Sequence, residues 1–179
     1  MKSRSAFIVV SIMAVSILLA SCSPAVTPAV TDVVGSASLV DNATAFEKAI
    51  AKDGTWIISI TKDLSIDKDL VLDGDFKNGK KDADGKELMQ RKVALYAQDA
   101  DFNITSRYTL TLKSLTVRSV VASLQHGTFK GDLYIEVNGF KLIDTKVEGN
   151  VYFRSEEFKE SFVMDDKSSV TGAQEVTPS

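Results

Sequence analysis

Residues 115–132 read LTVRSVVASLQHGTFKGD, residues 133–150 read LYIEVNGFKLIDTKVEGN, and residues 151–168 read VYFRSEEFKESFVMDDKS. These three segments are equal in length, align without a gap and keep apolar side chains at the same positions. The aligned apolar columns are Leu115/Leu133/Val151, Val117/Ile135/Phe153, Ala122/Phe140/Phe158, Leu124/Leu142 and Phe129/Val147. A fixed period of this kind predicts a repeat architecture, in which each unit buries its apolar side chains by stacking on its neighbours.

Each repeat contains short alternating runs, such as Leu133-Tyr-Ile135-Glu-Val137, that are typical of strands, and the first two end in Gly131-Asp132 and Gly149-Asn150. Parallel strands stacked about 4.8 Å apart would turn each column into a buried row. The pattern therefore predicts an all-β fold, a short parallel β-helix. An antiparallel sandwich is the structural alternative, although it predicts no ungapped repeat.

The same alternation continues towards the N-terminus in Leu64-Ser-Ile66, Leu70-Val-Leu72, Val93-Ala-Leu95 and Leu110-Thr-Leu112. Leu70 and Val93 are 23 residues apart, and Val93 and Leu115 are 22 apart. We therefore expect a solenoid with rungs of 18–23 residues over residues 54–179. Before it, Thr44-Ala45-Phe46-Glu47 fits a helix capping box and Asp53-Gly54 fits a helix end. These signals predict an N-terminal capping α-helix over residues 43–53.

The segments 45–50, 54–60 and 64–74 together resemble the N-terminal part of pectate-lyase-like right-handed β-helix proteins, where a cap helix precedes strands ending in Leu-x-Leu-Asp-Gly. Residues 108–117 resemble a corner between two strands of those proteins. The resemblance implies a right-handed parallel β-helix. It also implies an alternative function, a polysaccharide lyase or hydrolase that uses calcium with an arginine or lysine base. The even rungs are also similar to the polymer-forming bactofilins.

The N-terminus has the layout of a secretion signal over residues 1–21. Lys2 and Arg4 precede an apolar run from Phe7 to Ala20, which is too short for a permanent membrane span. Small residues then lead into Cys22, the one cysteine of the chain. This ending resembles the lipobox of bacterial lipoproteins, in which the cysteine is acylated and holds the protein on a lipid bilayer. Because Ser23 rather than aspartate follows, the resemblance favours the outer membrane of a Gram-negative cell envelope.

Residues 22–42 contain Pro24 and Pro28 among small residues and predict a flexible spacer between the lipid and the folded domain. The whole chain carries 21 lysines and arginines against 24 acidic residues, for a net charge of −3. Removal of the signal makes the remainder more acidic. This balance argues against nucleic acid as a partner, because such binding depends on clustered cations.

One outward-facing surface of the repeat combines aromatic and charged residues. If the first and third positions of each repeat point inward, the second and fourth point outward. The predicted surface consists of Tyr96, Arg118, Tyr134, Glu136, Tyr152 and Arg154. Such a surface suits a glycan or a protein partner, whereas the alternative is that cross-strand pairs merely stabilise the sheet by about 0.2–1 kcal/mol each.

An acidic loop contains a calcium candidate formed by Asp82, Asp84 and Glu87. Its pattern is incomplete, because a lysine stands where the first carboxylate of a calcium loop belongs. We expect no other cofactor. His126, the single histidine, has no second histidine or cysteine beside it to form a zinc site and is expected at a surface turn.

These features favour a non-enzymatic, exported lipoprotein whose β-helix is a structural or binding module of the cell envelope. The polysaccharide lyase or hydrolase is the alternative that the fold resemblance suggests. A further alternative is a self-assembling subunit, because the C-terminal strands of a solenoid without a second cap would expose edges that pair with another copy.

Overall fold

Strands dominate the computed structural model, which describes residues 37–178, all within one compact unit. The strands are β1 (Ala37–Val40), β2 (Ile57–Ile60), β3 (Leu64–Leu72), β4 (Lys77–Lys81), β5 (Glu87–Met89), β6 (Arg91–Ala94), β7 (Tyr96–Gln98), β8 (Ile104–Arg107), β9 (Thr109–Val117), β10 (Ala122–Gln125), β11 (Thr128–Ile135), β12 (Lys141–Ile143), β13 (Lys146–Glu148), β14 (Val151–Phe153), β15 (Val163–Met164), β16 (Ser169–Val170) and β17 (Gln174–Val176). The helices are α1 (Ala43–Ile50) and α2 (Glu156–Glu160). The prediction of an all-β fold is confirmed.

Two parallel sheets contain most of these strands. Sheet A has six strands in the order β1-β2-β6-β10-β12-β15. Sheet B has seven strands, and its long central strand β11 pairs with β9 on one side and with β13 and β14 on the other. Every pair within these two sheets is parallel, which excludes the antiparallel sandwich for the described residues.

The repeat register is confirmed between the first two repeats. Leu115 lies opposite Leu133, and Leu124 lies opposite Leu142, so each residue pairs with its counterpart in the next repeat. Leu133 in turn lies opposite Val151. The columns through these residues are fully buried between the two sheets and form the core. The sequence period therefore equals the spacing between paired strands in this part of the chain.

The register predicted for the third repeat is wrong beyond Phe153. Helix α2 follows β14 and delays the next strand, so Lys141 pairs with Val163 and Val151 pairs with Gln174. The residue that reaches the Phe140 ring is consequently Phe162 rather than Phe158, with ring centroids 6.0 Å apart. The physical reason is local, because Ser155 caps α2 by accepting a hydrogen bond from the Phe158 N–H, and this one-turn helix replaces an extended segment.

The strand spacings predicted for the part of the chain before Leu115 are also wrong. Leu70 pairs directly with Leu115, whereas Val93 lies in sheet A opposite Leu124. The chain between Leu70 and Leu115 includes β6 and two antiparallel hairpins, β4–β5 and β7–β8. An alternating pattern identifies a strand but does not say which sheet the strand joins. Leu70, Val93 and Leu115 were therefore wrongly expected to occupy one column.

The corner after the first half of β11 explains the repeated glycines. Gly131 has a φ of 131°, and a Cβ atom there would lie 2.3 Å from the carbonyl oxygen of Leu112 in the neighbouring strand. Next to it, the Asp132 carboxylate accepts hydrogen bonds from the backbone and side-chain N–H groups of Asn150, both at 2.9 Å. The Asn150 side chain accepts one from the Ala173 N–H in the same way. Turn residues at this corner therefore link successive strands.

The N-terminal helix forms close to where it was predicted, but its bounds differ. Asn42 is the N-cap and accepts a hydrogen bond from the Ala45 N–H at 2.9 Å, so the Thr44 box is not the cap. The helix ends at Ile50, and Phe46 and Ile50 are buried against β1, β2 and β3. Strand β1 lies within the predicted spacer 22–42, so ordered structure begins by residue 37.

A fully buried arginine joins this helix to the rest of the fold. The Arg91 guanidinium donates hydrogen bonds to the carbonyl oxygens of Ala49, Ala51, Asp73 and Gly74 at 2.6–3.3 Å. It also lies 4.0 Å from the centroid of the Phe76 ring. Burial lowers the pKa of Arg91 to about 10, although Asp73 and Asp75 raise it, so the side chain stays charged at neutral pH.

Candidate functional site

Two tyrosines stack on the outer surface of sheet B. Tyr134 in β11 and Tyr152 in β14 lie directly opposite each other, with ring centroids 5.2 Å apart and ring planes 27° apart. Both side chains are half-buried. Each outer position lies between two buried neighbours, because side chains alternate along a strand. The repeat therefore brings the two rings together.

A row of alternating charges runs beside the rings. The Glu136 carboxylate accepts hydrogen bonds from Arg118 at 2.8 Å and from Arg154 at 3.4 Å. Arg154 also lies 5.1 Å from the centroid of the Tyr134 ring, within the range of a cation–π contact. We call Arg118, Tyr134, Glu136, Tyr152 and Arg154 the tyrosine–arginine face. The structure thus brings together five of the six residues predicted for this surface.

The ion pairs of the face keep Glu136 and Arg118 ionised at neutral pH. The hydrogen bond from Arg118 is the main cause that lowers the pKa of Glu136, with a smaller contribution from Arg154. Reciprocally, Glu136 raises the pKa of Arg118. Burial, followed by nearby Asp132, raises the pKa of Tyr152, so its phenol remains neutral and able to donate a hydrogen bond.

The face has free hydrogen-bonding groups and a neighbouring cleft. Neither the Tyr134 nor the Tyr152 hydroxyl group bonds to another of the described residues. Arg118 also borders a cleft of about 420 Å³. The other residues that line this cleft are Lys52, Asp73, Gly74 and Asp75. The arrangement can offer phenol hydroxyls, ring edges and charges of both signs to a ligand.

Tyr96, the sixth predicted residue, does not belong to this face. It begins β7 of the β7–β8 hairpin, and its ring meets His126 edge-on with centroids 4.7 Å apart. Its assignment beside Arg118 assumed that Val93 and Leu115 share a column, and they lie in different sheets. In sheet B the strand before β9 is β3, not a strand that contains Tyr96.

A second polar cluster surrounds His126. The Asp144 carboxylate accepts a hydrogen bond from Arg107 at 2.6 Å, and its same oxygen lies 3.0 Å from His126 Nδ1. The backbone N–H of Asp144 donates in turn to the Asp165 carboxylate at 3.0 Å. The sequence offered a signal for the His126–Asp144 pair, because the two residues share a position in the first two repeats.

Both members of that pair have left-handed backbones, with φ of 59° at His126 and 47° at Asp144. Burial raises the pKa of Asp144, but hydrogen bonds from His126 and Arg107 outweigh it and hold that pKa below its ordinary value. Since Arg107 belongs to β8 and the other two residues follow sheet A strands, these bonds fasten the β7–β8 hairpin to sheet A. His126 lies at the bend between β10 and β11, as expected of a turn residue, but it is half-buried rather than on the surface.

The calcium candidates lie in the β4–β5 hairpin. One oxygen of Asp82 accepts hydrogen bonds from the backbone N–H groups of Asp84 and Lys86, at 3.0 and 2.8 Å. Glu87 forms a salt bridge with Lys77. These contacts stabilise the hairpin turn. Within residues 37–178, no group of three or more histidine, cysteine, aspartate or glutamate side chains is arranged to hold a metal ion, so calcium at this loop stays a prediction.

Cys22 and the predicted signal 1–21 lie outside the described residues, so acylation and export stay predictions. In the described part of the chain, neither helix has the length and apolar character needed to cross a bilayer. Comparisons of the chain with protein-family models, with curated proteins and with solved structures found no match.

Proposed function

We propose that this protein is a non-enzymatic lipoprotein of the bacterial cell envelope, anchored through acylated Cys22, and that its domain is a right-handed parallel β-helix that binds a glycan or a protein. The tyrosine–arginine face would be the binding surface. The observation that carries the proposal is the half-exposed Tyr134–Tyr152 pair, whose hydroxyl groups bond to none of the described residues and which lies beside three charged side chains.

Three features of the described residues support a β-helix. The chain enters sheet A and sheet B in alternation from β9 onwards. Each later strand pairs in parallel with the strand one repeat earlier. Helix α1 packs over the first strands of both sheets, as a cap would. A crystal structure with a different path between the sheets would contradict this assignment.

The anchor is supported by the sequence from Met1 to Cys22. Metabolic labelling with radioactive palmitate tests it, because an acylated Cys22 would carry the label into the membrane fraction. A Cys22→Ser variant should lose the label and, if it is exported, should appear in the soluble fraction. Equal labelling of the unmodified chain and the Cys22→Ser variant would disprove acylation at this cysteine.

Binding is tested with a glycan array and with capture of envelope proteins. Tyr134→Phe/Tyr152→Phe removes both hydroxyl groups but keeps the stacked rings, so the fold should be preserved. Loss of binding in this variant would support the proposal. The matched control is Tyr96→Phe, which removes a tyrosine hydroxyl away from the face and should bind like the unmodified chain. Undiminished binding by the Tyr134→Phe/Tyr152→Phe variant would disprove a role for the face.

An assay of acidic and neutral polysaccharide cleavage, with and without calcium, tests the non-enzymatic part of the proposal. Cleavage that Asp82→Ala or Asp84→Ala abolishes would favour the lyase or hydrolase instead. Cleavage that His126→Ala abolishes would place the chemistry at the His126–Asp144 pair.

Self-assembly is a second candidate function, favoured by one observation. Val163 and Met164 of the edge strand β15 are 48% and 41% exposed, which is unusual for apolar side chains in a sheet. An exposed apolar edge can pair with another chain. Concentration-dependent sedimentation that Met164→Lys abolishes would support assembly, and a monomer at every concentration would rule it out.

A further inference from the structure

A groove lies between the β4–β5 hairpin and the outer side of sheet A. Its volume is about 320 Å³, which is within the size range of small-molecule sites. The hairpin forms one wall, and strands β10 and β12 form the floor and the other wall. The lining residues are Asn78, Leu88, Met89, Gln90, Val121, Ser123, Gln125, Lys141 and Ile143.

The floor of the groove is polar although it is buried. Ser123 and Gln125 alternate with the inward-facing Leu124 in β10 and therefore point away from the core. Nevertheless, Ser123 is only 3% exposed and Gln125 only 9% exposed. The Gln125 amide donates a hydrogen bond to the Ser123 hydroxyl at 2.9 Å, and that hydroxyl donates to the Arg91 carbonyl oxygen at 3.4 Å. This network fixes the orientation of the Gln125 side chain.

The same network leaves hydrogen-bonding groups unused. The Oε1 atom of Gln125 has no hydrogen-bond partner among the described residues. On the wall, Gln90 Oε1 accepts from Asn78 at 3.0 Å, so only the Gln90 amide N–H groups remain available, and none of the described residues accepts from them. Both groups are accessible rather than fully buried, because the fully buried side-chain atoms without a partner among the described residues are Arg91 Nε and Thr177 Oγ1. They are therefore available to a ligand that enters the groove.

The available groups define the chemistry of the ligand. The groove offers a carbonyl acceptor from Gln125, amide donors from Gln90, and the ammonium group of Lys141, for which no described carboxylate lies within salt-bridge distance. Leu88, Met89 and Ile143 add aliphatic surface, and no carboxylate lines the groove. Hydroxyl and acetamido groups both donate and accept, and so they match this set, while the aliphatic walls match the C–H faces of a sugar ring.

We propose that this groove binds a short saccharide through Gln90 and Gln125. The site is separate from the tyrosine–arginine face, which lies on sheet B, and the proposal does not depend on the function assigned to that face. Gln125 contributes the acceptor at the floor, Gln90 the donor on the wall, and the volume accommodates one or two sugar rings.

Saturation-transfer NMR on the full chain in detergent tests the proposal with three probes. They are N,N′-diacetylchitobiose, which carries hydroxyl and acetamido groups, cellobiose, which carries hydroxyl groups alone, and N-acetylalanine methylamide as a peptide. We expect transfer to at least one saccharide and at least a tenfold loss of affinity in Gln125→Met, which keeps the side-chain volume but removes the amide. Gln90→Met, on the half-exposed wall, should lose affinity similarly and serves if Gln125→Met does not fold.

The matched control is Gln174→Met, which makes the same change at an exposed glutamine in β17 of sheet B and should bind these saccharides like the unmodified chain. A loss in this control would mean that the effect of the two glutamine variants is not specific to the groove and would overturn the proposal. It would also be overturned by transfer to the peptide alone, by no transfer to either saccharide, or by undiminished transfer in the two glutamine variants.

Discussion

Replacement of the buried Arg91 by methionine should destabilise the fold strongly. Methionine keeps much of the aliphatic volume but removes the guanidinium, which donates four hydrogen bonds to carbonyl oxygens. Two of these oxygens belong to Ala49 and Ala51 at the end of α1, and two belong to Asp73 and Gly74 after β3. Without Arg91, the Asp73 oxygen would lose its one donor among the described residues. The oxygens of Ala49, Ala51 and Gly74 would each keep a second donor, from Thr55, Gly54 and Ser119 respectively.

The magnitude follows from two opposing contributions. Hydrogen bonds that involve a charged group contribute about 1.5–3 kcal/mol each, so four amount to about 6–12 kcal/mol. Burial of the charge opposes them, and the lowering of the Arg91 pKa to about 10 corresponds to about 3 kcal/mol. The difference is a loss of about 3–9 kcal/mol, and the lower part of this range applies because the oxygens of Ala49, Ala51 and Gly74 keep a second donor. We therefore expect a loss of about 3–5 kcal/mol, from a total stability of about 5–15 kcal/mol.

Urea unfolding, followed by tryptophan fluorescence, measures this loss. Trp56 is the only tryptophan and lies directly before β2, where its carbonyl oxygen accepts a hydrogen bond from the Lys92 N–H next to Arg91. The matched control is Arg107→Met, since the Arg107 side chain is 48% exposed and pairs with Asp144 alone. That variant should lose at most about 1 kcal/mol. If Arg91→Met is no less stable than Arg107→Met, the reasoning is refuted.

Three other changes have expected outcomes. Gly131→Ala would place a Cβ atom 2.3 Å from a backbone oxygen, whereas the Cβ atom of the control Gly79→Ala would meet nothing within 4 Å. The midpoint of urea unfolding of Gly131→Ala should therefore be well below that of Gly79→Ala. Equal midpoints would contradict the close approach. A double-mutant cycle of Tyr134→Ala and Tyr152→Ala should give a coupling of about 0.5–1.5 kcal/mol, and a coupling near zero would contradict the stacking. The lowered pKa of Glu136 means that the unfolded state binds more protons, so stability should be constant above about pH 5 and fall as the pH drops through the ordinary glutamate range near about 4.3. Glu136→Gln should make that acid-induced fall in the free energy of unfolding shallower, and an unchanged pH profile would contradict the ion pair.

The buried columns show which part of the fold could be predicted from the sequence. Leu115, Leu133 and Val151 follow one another at the period of the repeat, and each must face the core for its neighbours to be buried. A register slip of one residue would expose the whole set, so the apolar pattern selects one pairing. For the same reason all five residues of the tyrosine–arginine face, which occupy the alternate positions, could be predicted, and Tyr96 was wrongly added to them.

The two inserted hairpins and helix α2 could not be predicted from the repeat pattern. The hairpins β4–β5 and β7–β8 interrupt the repeat, and their short strands, such as the wholly polar Lys77–Lys81, carry no alternation of buried and exposed residues that would predict their pairing. Tyr96 was misplaced because Val93 was assigned to the column of Leu115, although Val93 lies in sheet A. Similarly, α2 is only five residues long and has no buried residue, so its apolar pattern differs too little from that of a strand to be recognised.

The sequence by itself determined the all-β class, the strand period of the two central repeats, and which side chains of those repeats face inward. These are local properties, since alternation and period depend on neighbouring residues. Only the tertiary structure decided the contacts between distant segments. Arg91 reaches α1, far earlier in the chain; Arg107 reaches Asp144; and the β4–β5 hairpin closes a groove over Gln125. Such contacts depend on how long loops return to the sheets, which no periodic pattern encodes.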